Sequence, residues 1–190
     1  MGKTALIVLD VQVGIVEQVK AILEETHYLD RLASTIAAAR AAQVPVILVT
    51  VALREGYVDA SPRNKMFAQV KSGFQETDPG TQPHPRVLAA FAGETPIQVR
   101  KRRVSAFSGT DMEVVLRSLG VANIVIAGVS TSHAVLSTVA QAADLDYGIS
   151  VLSDLCADRN RELHDVLLKS AFPSQGTVLS AAEWVETLRK

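Results

Sequence analysis

The chain has 190 residues, 48% of them hydrophobic and 21% charged, with a formal net charge of −1. This length suits one domain over residues 1–190 with a substantial core, and the composition excludes a disordered chain and gives no electrostatic pull toward nucleic acid or an anionic membrane. A single cysteine, Cys156, excludes a disulfide framework and a cysteine-based metal cluster; with no leader pattern and no membrane-length apolar run, the expectation is a soluble, cytoplasmic protein.

Thr4–Leu9 is a continuous apolar run ending at Asp10, the pattern of a central parallel strand buried on both faces. Val16–Arg40 has helical periodicity broken near Thr26–Tyr28, and its second half puts Leu32, Ile36 and Ala39 on one face. Pro45–Ala52 reads as a second strand, expected at a sheet edge because proline is tolerated there. Arg54–Arg86 holds four of the seven prolines and reads as a long functional loop, with a short helix at Asn64–Lys71. Val87–Ala92 reads as a helical turn and Pro96–Val99 as a third strand.

Thr110–Leu119 is expected to be a helix, with Thr110 and Glu113 as a capping box and Gly120 as the C-cap. Ala122–Ala127 is a fourth buried strand, followed by a sharp turn at Gly128–Thr131 and a helix entered through Ser130, Thr131 or Ser132. Ile149–Leu152 is a fifth strand with Asp154–Asp158 at its carboxyl end. A helix at Arg161–Ala171 stops before Pro173, and Thr177–Leu179 and Ala181–Leu188 complete the chain as strand and helix. Strands that alternate with helices predict an α/β fold, with a parallel sheet covered on both sides and a site at the carboxyl ends of the strands.

Asp10, the neighbourhood of Lys101, the Gly128–Ala134 turn and Asp154 all fall at or near such ends. From position alone, Asp10 reads equally well as a solvated carboxylate. Four basic residues in a row, Arg100–Arg103, usually form a solvated face; a member turned inward toward an aspartate would instead be set for proton transfer. No histidine pair has metal-ligand spacing, and no phosphate-binding glycine motif is present.

Three stretches together resemble the isochorismatase-like, or cysteine hydrolase, superfamily. Gly128-Val129-Ser130-Thr131-Ser132-His133-Ala134-Val135-Leu136-Ser137-Thr138 stands where that family has Gly-Val-x-Thr-x-x-Cys-Val-x-x-Thr. Val8-Leu9-Asp10-x-Gln12 matches its opening motif, and Lys101-x-Arg103-x-Ser105-Ala106-Phe107-x-Gly109-Thr110 matches its lysine motif. The resemblance spans nearly the whole chain. It implies a three-layer, doubly wound fold with a six-stranded parallel sheet, a cis peptide at Val129–Ser130 with an oxyanion hole beside it, and assembly into dimers or larger homo-oligomers. It implies a small molecule as substrate. No cofactor is expected, and no metal, because Val51–Gly56 lacks the histidine that the zinc-binding nicotinamidases of the family carry there.

By the same resemblance Asp10 and Lys101 are catalytic, and Gln12, Val129, Ser130, Thr131, His133 and Phe107 contact the substrate or the oxyanion. Ala134 occupies the position of the nucleophilic cysteine, and a methyl group cannot form the covalent intermediate. Amidase chemistry of the nicotinamidase or carbamoylsarcosine kind is therefore not expected. His133, Ser132, Ser137 and Cys156 are each poorly placed to replace the thiol. Two functions stay open. One is a hydrolase working through Asp10 and Lys101 without a thiol, with vinyl-ether cleavage as a candidate reaction. The other is an inactive, hydrolase-derived binding or scaffold protein.

Overall fold

The computed structural model describes residues 2–70 and 72–189. Six parallel strands form one sheet: β1 (Lys3–Leu9), β2 (Val46–Val51), β3 (Ile97–Lys101), β4 (Val121–Val129), β5 (Gly148–Ala157) and β6 (Thr177–Leu179). They lie in the order β3-β2-β1-β4-β5-β6. The chain builds outward from β1 to β3, returns to place β4 on the other side of β1, and builds outward again. This reversal is the switch point of a doubly wound sheet, and it leaves a crevice beyond the carboxyl ends of β1 and β4.

The apolar runs are continuous because alternate residues serve two cores. In β1, Ala5, Ile7 and Leu9 face a core shared with Met112 and Leu116 of helix α5 (Met112–Ser118) and Val139 and Ala142 of α6 (Leu136–Asp144). Leu6 and Val8 face the other core, with Leu32, Ile36 and Ala39 of α3 (Tyr28–Ala41) and Trp184 of α8 (Ala181–Thr187). A fully buried Leu or Ile stabilises by about 1.5–3 kcal/mol relative to an exposed one, so β1 is held from both sides.

Several expectations are corrected. The first helical region is split into α1 (Val13–Gln18), α2 (Lys20–Glu25) and α3. Strand β2 is internal, and Pro45 precedes it, so the proline breaks no ladder bond; its carbonyl accepts from Leu6 N. The helix expected at Asn64–Lys71 is a single 3₁₀ turn at Phe67–Gln69, with Lys71 outside the described residues. After α4 (Pro85–Ala89) the chain enters β3.

Thr110 forms no capping box. Its hydroxyl donates to Ala106 O (2.6 Å), and Asp111 occupies the N-cap of α5. The capping box lies instead at Ser180 and Glu183, heading α8. Helix α7 (Arg161–Val166) continues through a π turn and a 3₁₀ turn that carries the coil past Pro173 to Ser174.

Strand β5 runs five residues beyond its expected end. Its pairing with β4 slips between Ile126↔Val151 and Gly128↔Cys156, so four residues of β5 are absorbed in an irregularity and the strand resumes to Ala157. Asp154 falls inside this irregularity. It pairs with Arg31 of α3 at 3.0 Å and accepts from Ala181 N, on the helical face and away from the crevice.

Candidate active site

β1 ends at Leu9, and the next residue, Asp10, has φ 55°, a left-handed conformation that turns the chain out of the sheet. Lys101 is the last residue of β3. Its Nζ lies 2.8 Å from Asp10 Oδ2 and donates to Val104 O at 2.5 Å. Lys101 is 1% exposed and Asp10 6%. Of the four-residue basic run only Lys101 is buried; Arg100 and Arg102 reach outward to Glu76. Asp10 Oδ1 is buried with no hydrogen-bond partner among the described residues. Burial pushes the Asp10 carboxyl above the ordinary aspartate value, with Lys101 pulling in the opposite direction.

On the other side of the switch point, β4 leads through Gly128 into the turn. A Cβ at Gly128 would run into the Leu9 carbonyl oxygen, so only glycine lets β4 approach β1 this closely. The Val129–Ser130 peptide is cis. A π turn at Thr131–Val135 opens α6 and places buried Ala134 on the cavity wall that also holds Asp10 and Lys101. Thr138 Oγ1 accepts from Ala106 N (3.1 Å), which ties the lysine motif to this helix.

His133, exposed on this turn, has Nδ1 3.0 Å from Ser130 Oγ and 2.9 Å from Ser132 Oγ. Ser132 donates to Asp158 Oδ2 from both its hydroxyl (2.6 Å) and its backbone N–H (2.7 Å), and Asn160 N donates to Oδ1 (2.9 Å). Partial burial works to raise the Asp158 carboxyl. The donors from Ser132 and Asn160 outweigh it and hold the group below the ordinary range.

These groups line a cavity of 690 Å³. Its apolar wall comes from Leu53 and, in the long loop, Phe67, Val70 and Phe74, which pack together with Val51 and Val104. The loop is pinned to the carboxyl end of β3 by ion pairs. Arg102 meets both Glu76 and Asp59, and Asp59 also holds Arg54. Arg103 and Arg159 add positive charge to the cavity wall; the Arg103 guanidinium lies over the Phe67 ring, 5.5 Å from its centre.

Three residues expected at the site serve other ends. Gln12 is fully buried and spends its amide on backbone: Nε2 donates to Val51 O and Thr81 O, and Oε1 accepts from Val51 N. It clamps the long loop to β2. Phe107 stacks on Tyr147 with ring centres 5.7 Å apart and belongs to the core. Thr131 is fully buried, its hydroxyl 2.8 Å from His164 Nδ1. Asp10, Lys101, Val129, Ser130, His133 and Ala134 do meet in one cavity.

Sequence reasoning favoured Asp154 where Asp158 is the acid that reaches the cavity. Both end the same apolar run, and only the strand irregularity separates them. Arg103 was visible inside the lysine motif but was not given a role. Among the described residues no three His, Cys, Asp or Glu side chains group as metal ligands.

A family model described as the Isochorismatase domain matches residues 4–183. The chain is similar to the isochorismatase family protein YecD of Escherichia coli O157:H7, at 30% identity over 97% of this chain and 96% of that protein. Among solved structures it resembles an isochorismatase family protein from Burkholderia thailandensis, with TM-score 0.82 and 27% identity over 99% of this chain and 96% of that one. It shares the fold of a cysteine hydrolase from Pseudomonas syringae pv. phaseolicola, with TM-score 0.86 and 24% identity over 98% and 92% of the two chains.

Proposed function

The chain belongs to the isochorismatase family, and on that premise we propose that it is a hydrolase of small molecules that works through Asp10 and Lys101 without a covalent nucleophile at position 134. The observation that carries this reading is the division of labour on Asp10. One carboxylate oxygen holds Lys101, while the other is buried in the cavity wall with no hydrogen-bond partner among the described residues. A carboxyl raised by burial keeps its proton to higher pH than an exposed aspartate, as a general acid requires.

The reaction that suits this arrangement is vinyl-ether hydrolysis. Asp10 gives its proton to the terminal methylene carbon, and the resulting oxocarbenium ion is stabilised by the carboxylate just formed. Water adds to the oxocarbenium carbon, the one that bears the ether oxygen, and returns a proton to Asp10; the hemiketal then breaks to a ketone and an alcohol. Lys101 keeps the carboxyl in place throughout and favours its ionised form once the proton has left. Arg103 and Arg159 favour a substrate carrying a carboxylate.

The test is a panel of carboxylated vinyl ethers assayed with purified protein beside an Asp10→Asn variant. Hydrolysis that falls by about 10²–10⁴-fold in the variant supports the reading. A panel whose members raise the melting temperature without being turned over points instead to a binding or scaffold protein.

A further inference from the structure

We propose that His133 is a specificity-determining residue of the cavity, held by Ser132 and Asp158 with its proton on Nδ1, so that Nε2 offers an acceptor to a ligand that carries a hydroxyl donor as well as a carboxylate. This shares with the proposed function the cavity as the ligand site, and it requires no turnover there.

Asp158 sets the direction of the hydrogen bonds on this turn. An ionised carboxylate only accepts. Oδ2 takes the Ser132 hydroxyl at 2.6 Å and the Ser132 N–H at 2.7 Å, and Oδ1 takes the Asn160 N–H at 2.9 Å. Ser132 has one hydroxyl proton, and it goes to Asp158. Toward His133 Nδ1, 2.9 Å away, Ser132 Oγ therefore presents a lone pair. A bare Nδ1 would set lone pair against lone pair across that contact. A protonated Nδ1 makes it a hydrogen bond, with Ser130 Oγ at 3.0 Å as a second acceptor for the same N–H. The neutral ring is thus fixed as the Nδ1–H tautomer, because the partner of one ring nitrogen decides the state of the other.

In that tautomer Nε2 is an acceptor. It lies across the ring from Nδ1, on the side away from the two serines. Both hydrogen bonds of the ring among the described residues are made by Nδ1. His133 is exposed and lines the cavity, so Nε2 is the polar atom that the ring keeps for a ligand.

The rest of the wall decides what else that ligand carries. Arg103 and Arg159 attract a carboxylate, and Leu53, Phe67, Val70 and Phe74 cover apolar carbon. Asp158 gives both oxygens to protein donors. A ligand hydroxyl can donate to Nε2, whereas an alkyl group of the same size leaves that nitrogen unpaired.

The experiment compares two unreactive ethers that differ in one group, (2-hydroxyethoxy)acetate and propoxyacetate, with dissociation constants measured by NMR titration of the folded protein. The affinity ratio of the hydroxyl ether to the propyl ether should fall by about three- to tenfold in His133→Phe. His133→Gln, whose amide oxygen can stand in for Nε2, should keep most of the preference. Long-range ¹H–¹⁵N spectra of the wild-type ring at pH 8 should show Nδ1 protonated and Nε2 bare, and Ser132→Ala should shift the ring toward the other tautomer and lower the ratio. Circular dichroism checks the fold of each variant. A wild-type ring protonated on Nε2 overturns the proposal. So does a ratio unchanged in His133→Phe, or failure of both ethers to bind in the cavity. Hydrolysis of vinyl ethers is a separate measurement, so the reaction and the specificity of His133 can each fail alone.

Discussion

Lys101 and Asp10 end strands that are not neighbours. β2 lies between β3 and β1, yet Nζ and Oδ2 are 2.8 Å apart and both side chains are almost fully buried. The contact therefore joins three strands at their carboxyl ends, and each residue neutralises what would otherwise be an isolated buried charge. Replacing one partner of such a pair destabilises by about 3–5 kcal/mol. Asp10→Asn and Lys101→Met should each lower stability in urea melts, and the double variant should lose less than the sum of the two, with a coupling of about 2–3 kcal/mol. Strict additivity would mean that the ion pair is energetically idle.

The same pair makes a pH prediction. Lys101 pulls the Asp10 carboxyl down against the effect of burial, so in Lys101→Met that carboxyl rises further. A carboxyl raised on folding contributes stability below its unfolded value, near 3.8, and loses it as pH climbs through the raised value. The stability deficit of Lys101→Met against wild type should therefore narrow as pH falls through the raised value toward 3.8. A deficit that widens on acidification would contradict a proton-retaining Asp10.

Asp158 titrates with the opposite sign. Its carboxyl is held below 3.8 in the folded state by the donors from Ser132 and Asn160, so its contribution is present above that value and is lost as pH falls through the lowered one. Asp158→Asn should be less stable than wild type at neutral pH, and the gap should close only below about pH 4. Thermal melts across that range decide it; a gap that is unchanged down to about pH 3 would mean that the charge on Asp158 contributes nothing.

The sheet was legible because a strand buried on both faces has one signature, a continuous apolar run, and β1 and β4 both show it. Asp10 was legible as the first polar residue after such a run. Asp158 was not, because the slip between β4 and β5 is set by packing of whole strands and leaves no periodic mark in Val151–Asp158. The clamp made by Gln12 was equally hidden: its partners, Val51 and Thr81, lie 39 and 69 residues away and are read through backbone atoms. The role of Glu76 and Asp59 in holding the long loop was hidden for the same reason, since charge in a loop says nothing of which arginine it will meet. Ser130 and His133, three residues apart on a tight turn, were close in sequence, but only the π turn shows that their side chains meet.

Cys156 is the next expectation with a direct measurement. Burial pushes its thiol up to about 12, so at pH 8 about one part in ten thousand is thiolate, the form that alkylates. Iodoacetamide should leave the native protein unmodified at Cys156 and its activity unchanged, while modification in urea should be complete. Rapid native modification with loss of turnover would place Cys156 in the chemistry and not in the core.

Position 134 allows the site to be tested by adding what it lacks. Ala134 is 2% exposed but lines the cavity, and it lies in the first turn of its helix, where the helix dipole lowers the pKa of a thiol placed there. The Asp10–Lys101 pair lies on the same cavity wall, with a base and a positive charge. In Ala134→Cys the added sulfur extends from a wall residue, so overpacking should cost no more than about 1–3 kcal/mol and the variant should fold. His133 is tied to Ser130 and Ser132 on the same wall and is exposed, which leaves the cavity open to reagent. The introduced thiol should therefore react with iodoacetamide in the native variant far faster than Cys156, as read by peptide mass spectrometry over a time course. The two thiols serve as each other's control within one molecule, since one is buried in the core and the other opens on the cavity. Equal slow labelling at both positions would show that the methyl of Ala134 does not face an accessible site, and the assignment of the active site to this turn would fall.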